Sequence, residues 1–453
     1  MLVLPTFAAA LLATTLPPGA DSAHAFVNVT VIPMDADRTV AGQTVVVRDG
    51  LIVALGPTSE TEVPGGAVRI DGSGRYLMPG LAEMHAHIPS PARDGSLASA
   101  HEVLFLYVAN GVTTIRGMLG HPAHLDLRRE VGRGAVLGPR IWTSGPSVRA
   151  NLTTAAAGDS AALITWEAGY DFIKIHPGPT REGFDALVRT ATRLGIPFSG
   201  HVPADVGLFH ALESGYATID HLDGYVEALV PAGARPEGTD GGWFGANYGR
   251  VVDRARVVDL ARRTREAGVW VVPTQTLMDS YATDATADEM AQMPELRYVS
   301  SATRAAWMRW KEQSFASTPS PDVRREFLAV RRQLIAALQD EGAGLLLGSD
   351  SPQVWNVPGF SIRRELEALV AAGLTPFQAL ATGTRNVARF LGTEDRAGSV
   401  AVGKWADLLL LEGNPLERVS HVARPHGVMV RGRWIDHQTI AQGLARIAAQ
   451  YEN

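Results

Sequence analysis

The chain contains no cysteine among its 453 residues. This excludes disulfides, thiolate metal sites and cysteine nucleophiles, so any metal would be held by histidine, carboxylate or modified lysine. Positive charge is not concentrated anywhere: the net charge is −6 and no basic stripe occurs, which argues against a nucleic-acid partner. After the N-terminus, no apolar run reaches the ~20 residues that a membrane-spanning helix needs. We therefore expect a globular protein that acts on a small molecule, without stable membrane insertion.

The first 25 residues have much of the pattern of an export signal. An apolar, alanine-rich run from Leu2 to Leu16 is followed by a Pro-Pro-Gly break and a small-x-small cleavage pattern at Ala23–Ala25. Basic residues are missing before the apolar run, since the first is Arg38. We expect residues 1–25 to be a signal peptide and the protein to be periplasmic or secreted. It would be cytoplasmic if this segment is not a signal.

Strand patterns at both ends of the chain flank a long middle segment. Residues 26–80 and 391–453 predict a small β-sandwich built from both chain ends. Residues 81–390 alternate eight strands with helices, which is the count of a (β/α)8 TIM-like barrel. A doubly wound sheet is the alternative, but no glycine-rich phosphate loop follows the first strand. The predicted barrel strands are Leu81–His85, Val112–Arg116, Arg140–Ser144, Asp171–Ile175, Pro197–His201, Thr218–His221, Val269–Thr274 and Leu345–Asp350.

Two segments of the middle region read as long irregular loops. They run from Asp223 to Arg254 and from Tyr281 to Pro321. Long loops after barrel strands often shape the active site, although they can equally cover apolar surface or mediate self-association.

The first predicted barrel strand runs into two histidines, His85 and His87. Alternate side chains of a strand lie on one face, so the two imidazoles should point the same way. Two imidazoles on one face can hold one divalent metal. A His-x-His pair alone is weak evidence, because chance produces it often.

Metal-competent residues recur at the carboxyl ends of later predicted strands, the end at which barrel active sites form. Taken singly, a buried histidine is more often structural, a strand-end lysine usually lies at the surface, and an aspartate before Ser-Pro can cap a helix. The ordered set is a stronger signal than any member. The candidate ligands are His85, His87, Lys174, His201, His221 and Asp350.

Weaker candidates lie beside these residues. His176 follows Lys174 by two positions and could bind substrate or orient a ligand, or be an ordinary loop histidine. Tyr225, just past His221, is a candidate for binding a substrate carboxylate or carbonyl. The weakest candidates are Arg116, His121 and His124.

With these residues, the sequence resembles the metal-dependent amidohydrolase superfamily, most closely the branch of imidazolonepropionase-like and binuclear Xaa-Pro dipeptidase-like proteins. The resemblance covers almost the whole chain after residue 26. One departure is Arg116-Gly117, where relatives often carry Arg-Asp. The similar segments are Leu77–Leu81 (LMPGL), Asn110–Thr114 (NGVTT), Gly138–Ile141 (GPRI), Gly403–Leu408 (GKWADL) and Asn414–Leu416 (NPL).

The resemblance implies a (β/α)8 barrel with a centre for two divalent metals. His85 and His87 would bind the more buried metal together with Asp350. His201 and His221 would bind the second metal. Zinc is the expected ion, although manganese or cobalt suits the same ligands.

In such a centre, Lys174 would bridge both metals as a carbamate formed with CO2. A protonated ammonium has no lone pair for a metal, whereas a carbamate resembles a carboxylate and can span metals ~3.5–4 Å apart. If Lys174 stays unmodified, the resemblance implies a mononuclear site.

The resemblance also implies a hydrolase of amide bonds, such as those of dipeptides or N-acyl amino acids. A hydroxide shared by the metals would attack the carbonyl, and Asp350 would accept a proton and deliver it to the leaving nitrogen. The alternatives are hydrolysis of lactones, carbamates or phosphotriesters at the same centre, a mononuclear deaminase, and a non-catalytic scaffold. The oligomeric state stays open, although the apolar content permits a homo-oligomer.

Overall fold

The computed structural model of the protein describes residues 23–235, 241–315 and 319–451. Residues 1–22, which hold most of the predicted signal peptide, lie outside this range. Among the described helices, none has the length and apolarity required to cross a membrane. The strands are β1 (His24–Val31), β2 (Val40–Arg48), β3 (Leu51–Pro57), β4 (Val68–Asp71), β5 (Tyr76–Pro79), β6 (Leu81–Ala86), β7 (Val112–Gly117), β8 (Arg140–Thr143), β9 (Ile173–Ile175), β10 (Phe198–Gly200), β11 (Thr218–Asp220), β12 (Trp270–Val272), β13 (Leu408–Leu411), β14 (Gly427–Val430) and β15 (Arg433–Asp436).

Helices connect most of the central strands and cover the sheets. A glycine in the left-handed region, Gly195 (φ 71°), ends the helix over residues 181–194. The helices are α1 (Ala98–Ala109), α2 (Pro122–Gly132), α3 (Ala155–Glu167), α4 (Arg181–Leu194), α5 (Leu208–Glu213), α6 (Tyr225–Ala228), α7 (Val257–Glu266), α8 (Gln275–Ala282), α9 (Ala287–Met290), α10 (Ser301–Phe315), α11 (Pro321–Asp340), α12 (Phe360–Ala371), α13 (Pro376–Thr382), α14 (Arg385–Phe390) and α15 (His437–Tyr451).

Both ends of the chain contribute to one eight-stranded sheet. Its order is β15-β14-β13-β5-β1-β2-β3, with β4 pairing to β1. The antiparallel pairing of β13 with β5 joins the C-terminal strands to the N-terminal ones. Phe26, Val45, Leu408 and Met429 form part of a separate apolar core in this region. The predicted cleavage pattern at Ala23–Ala25 overlaps the start of β1, where His24 and Ala25 already pair with β2.

The middle of the chain forms two parallel sheets, one of β6-β7-β8 and one of β9-β10-β11-β12. Isolated parallel bridges extend this order, joining Ser144 to Phe172, Val271 to Leu345, and Ser351 to Ala86. The result is a TIM-barrel-like α/β fold. Because parallel strands present their carboxyl ends at the same edge, the residues that follow β6, β9, β10 and β11 meet there.

The last predicted barrel strand is not a regular strand. The segment Leu345–Asp350 contributes single bridges and hydrogen bonds, such as the 2.8 Å bond from the Met84 amide to the Leu347 carbonyl. Asp350 has a φ of 62°, a left-handed conformation that interrupts an extended strand.

The expectation of an irregular loop from Tyr281 to Pro321 was wrong, since α9 and α10 occupy much of it. Aliphatic residues are few in α10, so its helical periodicity is hard to recognise in the sequence. Tertiary contacts support the helix instead. The Lys311 ammonium donates to the carbonyls of Ser280, Tyr281 and Thr283, and Trp307 packs on Trp355.

Candidate metal centre

The six predicted ligands come together at the carboxyl edge of the parallel strands. The imidazole rings lie close to one another, with centroids separated by 4.5 Å for His85 and His221 and by 4.7 Å for His201 and His221. The side chain of His87 is partly exposed, whereas Lys174 is completely buried. The cluster is therefore closed on the strand side and open toward His87.

His85, His87 and Asp350 form the tightest group. Asp350 Oδ1 lies 2.6 Å from His87 Nε2 and 3.7 Å from His85 Nε2. One ligand atom from each residue falls within 4.8 Å of the others, a spacing that one divalent ion can bridge. The donor set of two imidazoles and a carboxylate suits zinc and similar metals.

His201 and His221 each have one ring nitrogen fixed by another side chain. His201 Nδ1 lies 3.0 Å from Asp223 Oδ2, and His221 Nδ1 lies 2.8 Å from the Thr274 hydroxyl. Such partners orient an imidazole and leave the other nitrogen, here Nε2, for a metal. The two side chains are thus prepared for metal binding in the same way.

Burial keeps these imidazoles neutral. Burial, together with the nearby Lys174 ammonium, lowers the pKa of His201 to about 3. Burial likewise holds the pKa values of His85 and His221 well below their usual range. A neutral imidazole is the form that ligates metals, so the electrostatics of the pocket fits the predicted role.

Lys174 lies in the centre without a hydrogen bond. Among the described residues, its Nζ has no hydrogen-bond partner and lies 3.7 Å from Asp220 Oδ2. Burial lowers the pKa of this amine, which favours the neutral form, while Asp220 and Asp350 oppose the shift. A buried, unpartnered amine beside two carboxylates fits a group that a metal centre would complete, and so the residues present fit a divalent metal site.

Asp220 was missed by the sequence reasoning. Its Oδ2 lies 3.2 Å from His85 Nδ1, and its Oδ1 accepts a 3.2 Å hydrogen bond from Arg116, one of the weaker candidates. Strand alternation predicts that Asp220 and its neighbour His221 point to opposite faces. His221 instead has a φ of 64°, which breaks the alternation and lets both side chains reach the cluster. In the sequence, the only sign that Asp220 belongs to the cluster is its position directly before the candidate ligand His221.

Of the two predicted substrate residues, the structure brings only His176 to the cluster. The ring centroid of His176 lies 5.1 Å from that of His201, and burial lowers its pKa to about 2. Tyr225 is completely buried, and its hydroxyl lies 2.9 Å from that of Thr264 on α7. Helix α6 directs Tyr225 into this packing, so it does not reach the site as predicted.

His121 and His124, the remaining weak candidates, have a local structural role. The His121 side chain accepts a 3.1 Å hydrogen bond from the amide of Ala123, and His124 accepts one of 3.2 Å from the amide of His121. This reciprocal arrangement caps the start of α2.

Two buried charged residues form hydrogen bonds with the backbone at and beside the candidate ligands. Arg331 on α11 donates to the carbonyls of His221 (2.6 Å) and Pro273 (2.8 Å). Glu83 accepts hydrogen bonds from the amides of His85 (3.0 Å) and Ser349 (2.8 Å). These contacts hold the backbone on both sides of the cluster, and no sequence motif signals them.

A groove of about 930 Å³ begins at His201 and runs between α6 and the segment over residues 243–248. Phe244 forms part of its wall, with ring centroids 6.0 Å from His201 and 5.2 Å from His221. The groove therefore leads directly to the second pair of candidate ligands and has room for a small molecule.

Comparisons with known proteins identify related sequences. The sequence profile of the Amidohydrolase family matches residues 76–435. An imidazolonepropionase from Syntrophobacter fumaroxidans is 26% identical over 391 residues, which cover 81% of this chain and 82% of that protein. An adenine deaminase from Mesorhizobium japonicum is 25% identical over 210 residues, covering 42% of this chain but only 33% of the deaminase, so the match spans about a third of its length.

Solved structures share the fold. A bottromycin amidohydrolase has a TM-score of 0.71 and 24% identity, covering 95% of this chain and 91% of its own. A Xaa-Pro dipeptidase with bound methionine in the active site has a TM-score of 0.66 and 19% identity, covering 92% of this chain and 100% of its own.

Proposed function

We propose that this protein cleaves the amide bond of a small substrate, such as a dipeptide or an N-acyl amino acid. The chain belongs to the Amidohydrolase family and is a hydrolase of carbon–nitrogen bonds. The observation that carries this proposal is the convergence of His85, His87, His201 and His221 around Asp350 and the unpartnered Lys174 amine. An imidazolonepropionase among the relatives and a Xaa-Pro dipeptidase among the structures give it further support.

In this proposal, the cluster would hold two divalent metals, zinc in the native protein. His85, His87 and Asp350 would hold one metal, and His201 and His221 would hold the other. Lys174, once carboxylated by CO2, would serve as a further anionic ligand. Its burial favours this modification, because only a neutral amine reacts with CO2 and burial lowers the pKa of the ammonium.

When bound, the metals would supply a water of lowered pKa and polarise the scissile carbonyl. The proton of the attacking water goes to Asp350, which therefore acts as general base. Asp350 then returns this proton to the leaving nitrogen as general acid, so that an amine and not an amide anion departs. The 2.6 Å distance from its Oδ1 to Nε2 of the partly exposed His87 supports this role.

A turnover screen tests the reaction class. Zinc-loaded protein in bicarbonate would be incubated with dipeptides, N-acyl amino acids, aryl carbamates, lactones and phosphotriesters, and products would be detected by mass spectrometry. We expect release of free amine from dipeptides or N-acyl amino acids. Turnover of lactones or phosphotriesters alone would retain the metal centre and overturn the amide assignment.

A further inference from the structure

The groove beside the second pair of candidate ligands has an acidic floor. Asp223 and Glu227 both line it, with Glu227 on α6 and Asp223 just before this helix. Asp223 is already committed, because its Oδ2 contacts His201 Nδ1 and accepts a 3.1 Å hydrogen bond from the Val202 amide. Glu227 makes no comparable contact with a candidate ligand among the described residues.

One carboxylate oxygen of the half-buried Glu227 lacks a partner. Its Oε2 is shielded from solvent and has no hydrogen-bond partner among the described residues. The segment over residues 243–248 packs closely against the Glu227 carboxylate, because a Cβ added at Gly245 would lie only 3.1 Å from the carboxyl carbon. A buried carboxylate oxygen without a partner is unfavourable. Burial and the nearby Asp223 carboxylate raise the pKa of Glu227 to about 7, although the charges of Arg331 and Arg235 oppose this shift. A cation in the groove would reduce the electrostatic cost of burying this carboxylate.

Among the residues that the structure describes, the other charged side chains lining the groove do not neutralise Glu227. Arg235 and Arg256 also line it, but both side chains are exposed, and Arg235 lies over the Tyr248 ring with 5.9 Å from Cζ to the centroid. Solvent screens charges at such positions. Apolar side chains, among them Val202 and Phe244, form much of the remaining wall. The groove is thus suited to an apolar body carrying a positive nitrogen.

We infer that Glu227 binds an ammonium group of the substrate, so that the preferred substrates are amides with a free amine in the part that occupies the groove, as in dipeptides with an unblocked N-terminus. This inference rests on the proposed function and narrows its substrate class. Because the groove starts at His201, an ammonium at Glu227 belongs to a substrate whose carbonyl lies at the second metal position.

The test compares Glu227→Gln with the parent protein on paired substrates. Each pair is a dipeptide with a free N-terminus and its N-acetylated form, and the matched control is Glu60→Gln, which removes an exposed carboxylate of the terminal sheet region. We expect Glu227→Gln to raise KM for the free dipeptides about tenfold or more, equivalent to about 1.4 kcal/mol, with little change in kcat. N-acetylated substrates should be unaffected. Equal losses on both members of each pair, or no loss on either, would overturn the inference.

A lysyl series locates the ammonium within the substrate. Glu227→Gln should leave the turnover of N-acetyl-lysyl and N-acetyl-alanyl dipeptides alike unchanged, because neither has a free α-amine. A loss for the N-acetyl-lysyl dipeptides would show that Glu227 binds the side-chain amine and would overturn the assignment to the N-terminus.

A binding measurement separates this inference from the proposed reaction. Saturation-transfer NMR would detect binding of n-butylammonium to the metal-loaded parent protein and to Glu227→Gln. Binding that depends on Glu227 would support the ammonium site even if no amide in the screen is hydrolysed. Equal binding, or none to either protein, would exclude the site whatever the reaction proves to be.

Discussion

The site has two halves that are built differently. In the inner half, His85 lies on β6, His87 directly follows this strand, and Glu83 of β6 accepts a hydrogen bond from the amide of His85. In the outer half, His221 has a left-handed backbone, and its carbonyl is held by Arg331, which is 110 residues away in the chain. The inner half therefore depends mostly on a local sequence, and the outer half depends on tertiary contacts.

This difference suggests a division of labour between the halves. The inner half encloses Lys174 and Asp220, both completely buried, and would bind metal in the proposed centre. The outer half opens on the groove with Glu227 and Phe244, where the proposed substrate would be recognised. Substitutions in the inner half should change the chemical step or metal affinity, and those in the outer half should change substrate preference.

The largest effect is expected for Asp350→Asn. The amide retains an oxygen for a metal but cannot accept and return the proton, so kcat should fall ~10²–10⁴-fold on amide substrates. Metal content and circular dichroism would verify that the variant is folded and loaded. Near-normal turnover by such a protein would show that Asp350 does not carry the proton.

Asp220→Asn tests the buried carboxylate of the inner half. It should weaken metal binding ~10–100-fold, as removing a carboxylate behind a ligating histidine typically does. The mechanism is the loss of a negative charge 3.2 Å from His85 Nδ1 and 3.7 Å from Lys174 Nζ. Metal titration with a competing chelator would measure it, with the exposed Asp205→Asn as control. Unchanged affinity would make Asp220 a purely structural partner of Arg116.

The sequence predicted the candidate ligands of both halves better than the residues that contact them. The family was predicted and is confirmed by the match over residues 76–435. Histidines at strand ends were recognisable because the period of a strand fixes which side chains share a face. Asp220 was not, because the left-handed φ of 64° at His221 breaks that period and appears in no sequence pattern.

Residues of the outer half depend on packing that short motifs do not encode. Tyr225 follows His221 closely in sequence, yet α6 directs it toward Thr264. Arg331 and Glu227 looked like ordinary charged residues of helical or loop segments. Their roles emerge only when α11 and the segment over residues 243–248 are placed against the site.

Arg331→Lys tests whether a distant residue sets the outer half. A lysine ammonium cannot reproduce the planar fork that reaches the carbonyls of His221 and Pro273 together. We expect one of the two metals to bind about tenfold more weakly, while the other is unaffected. Stepwise metal titration would resolve the two sites, and Arg325→Lys, an exposed residue on the same helix, is the control. Equal weakening of both metals would argue against the separation into two halves.

The smallest effect is expected for Phe244→Ala, which removes one wall of the groove. Phe244 is half-buried and makes ring contacts to His201 and His221, so its loss should cost about 0.5–1.5 kcal/mol of substrate binding. This predicts a KM increase of a few fold for apolar substrates, with metal affinity retained because the ring supplies no ligand atom. Phe377→Ala, a half-buried phenylalanine on α13, is the matched control. A loss of metal from the Phe244 variant would mean that the groove wall also holds the outer ligands in place, and the two functions of the outer half could not be separated.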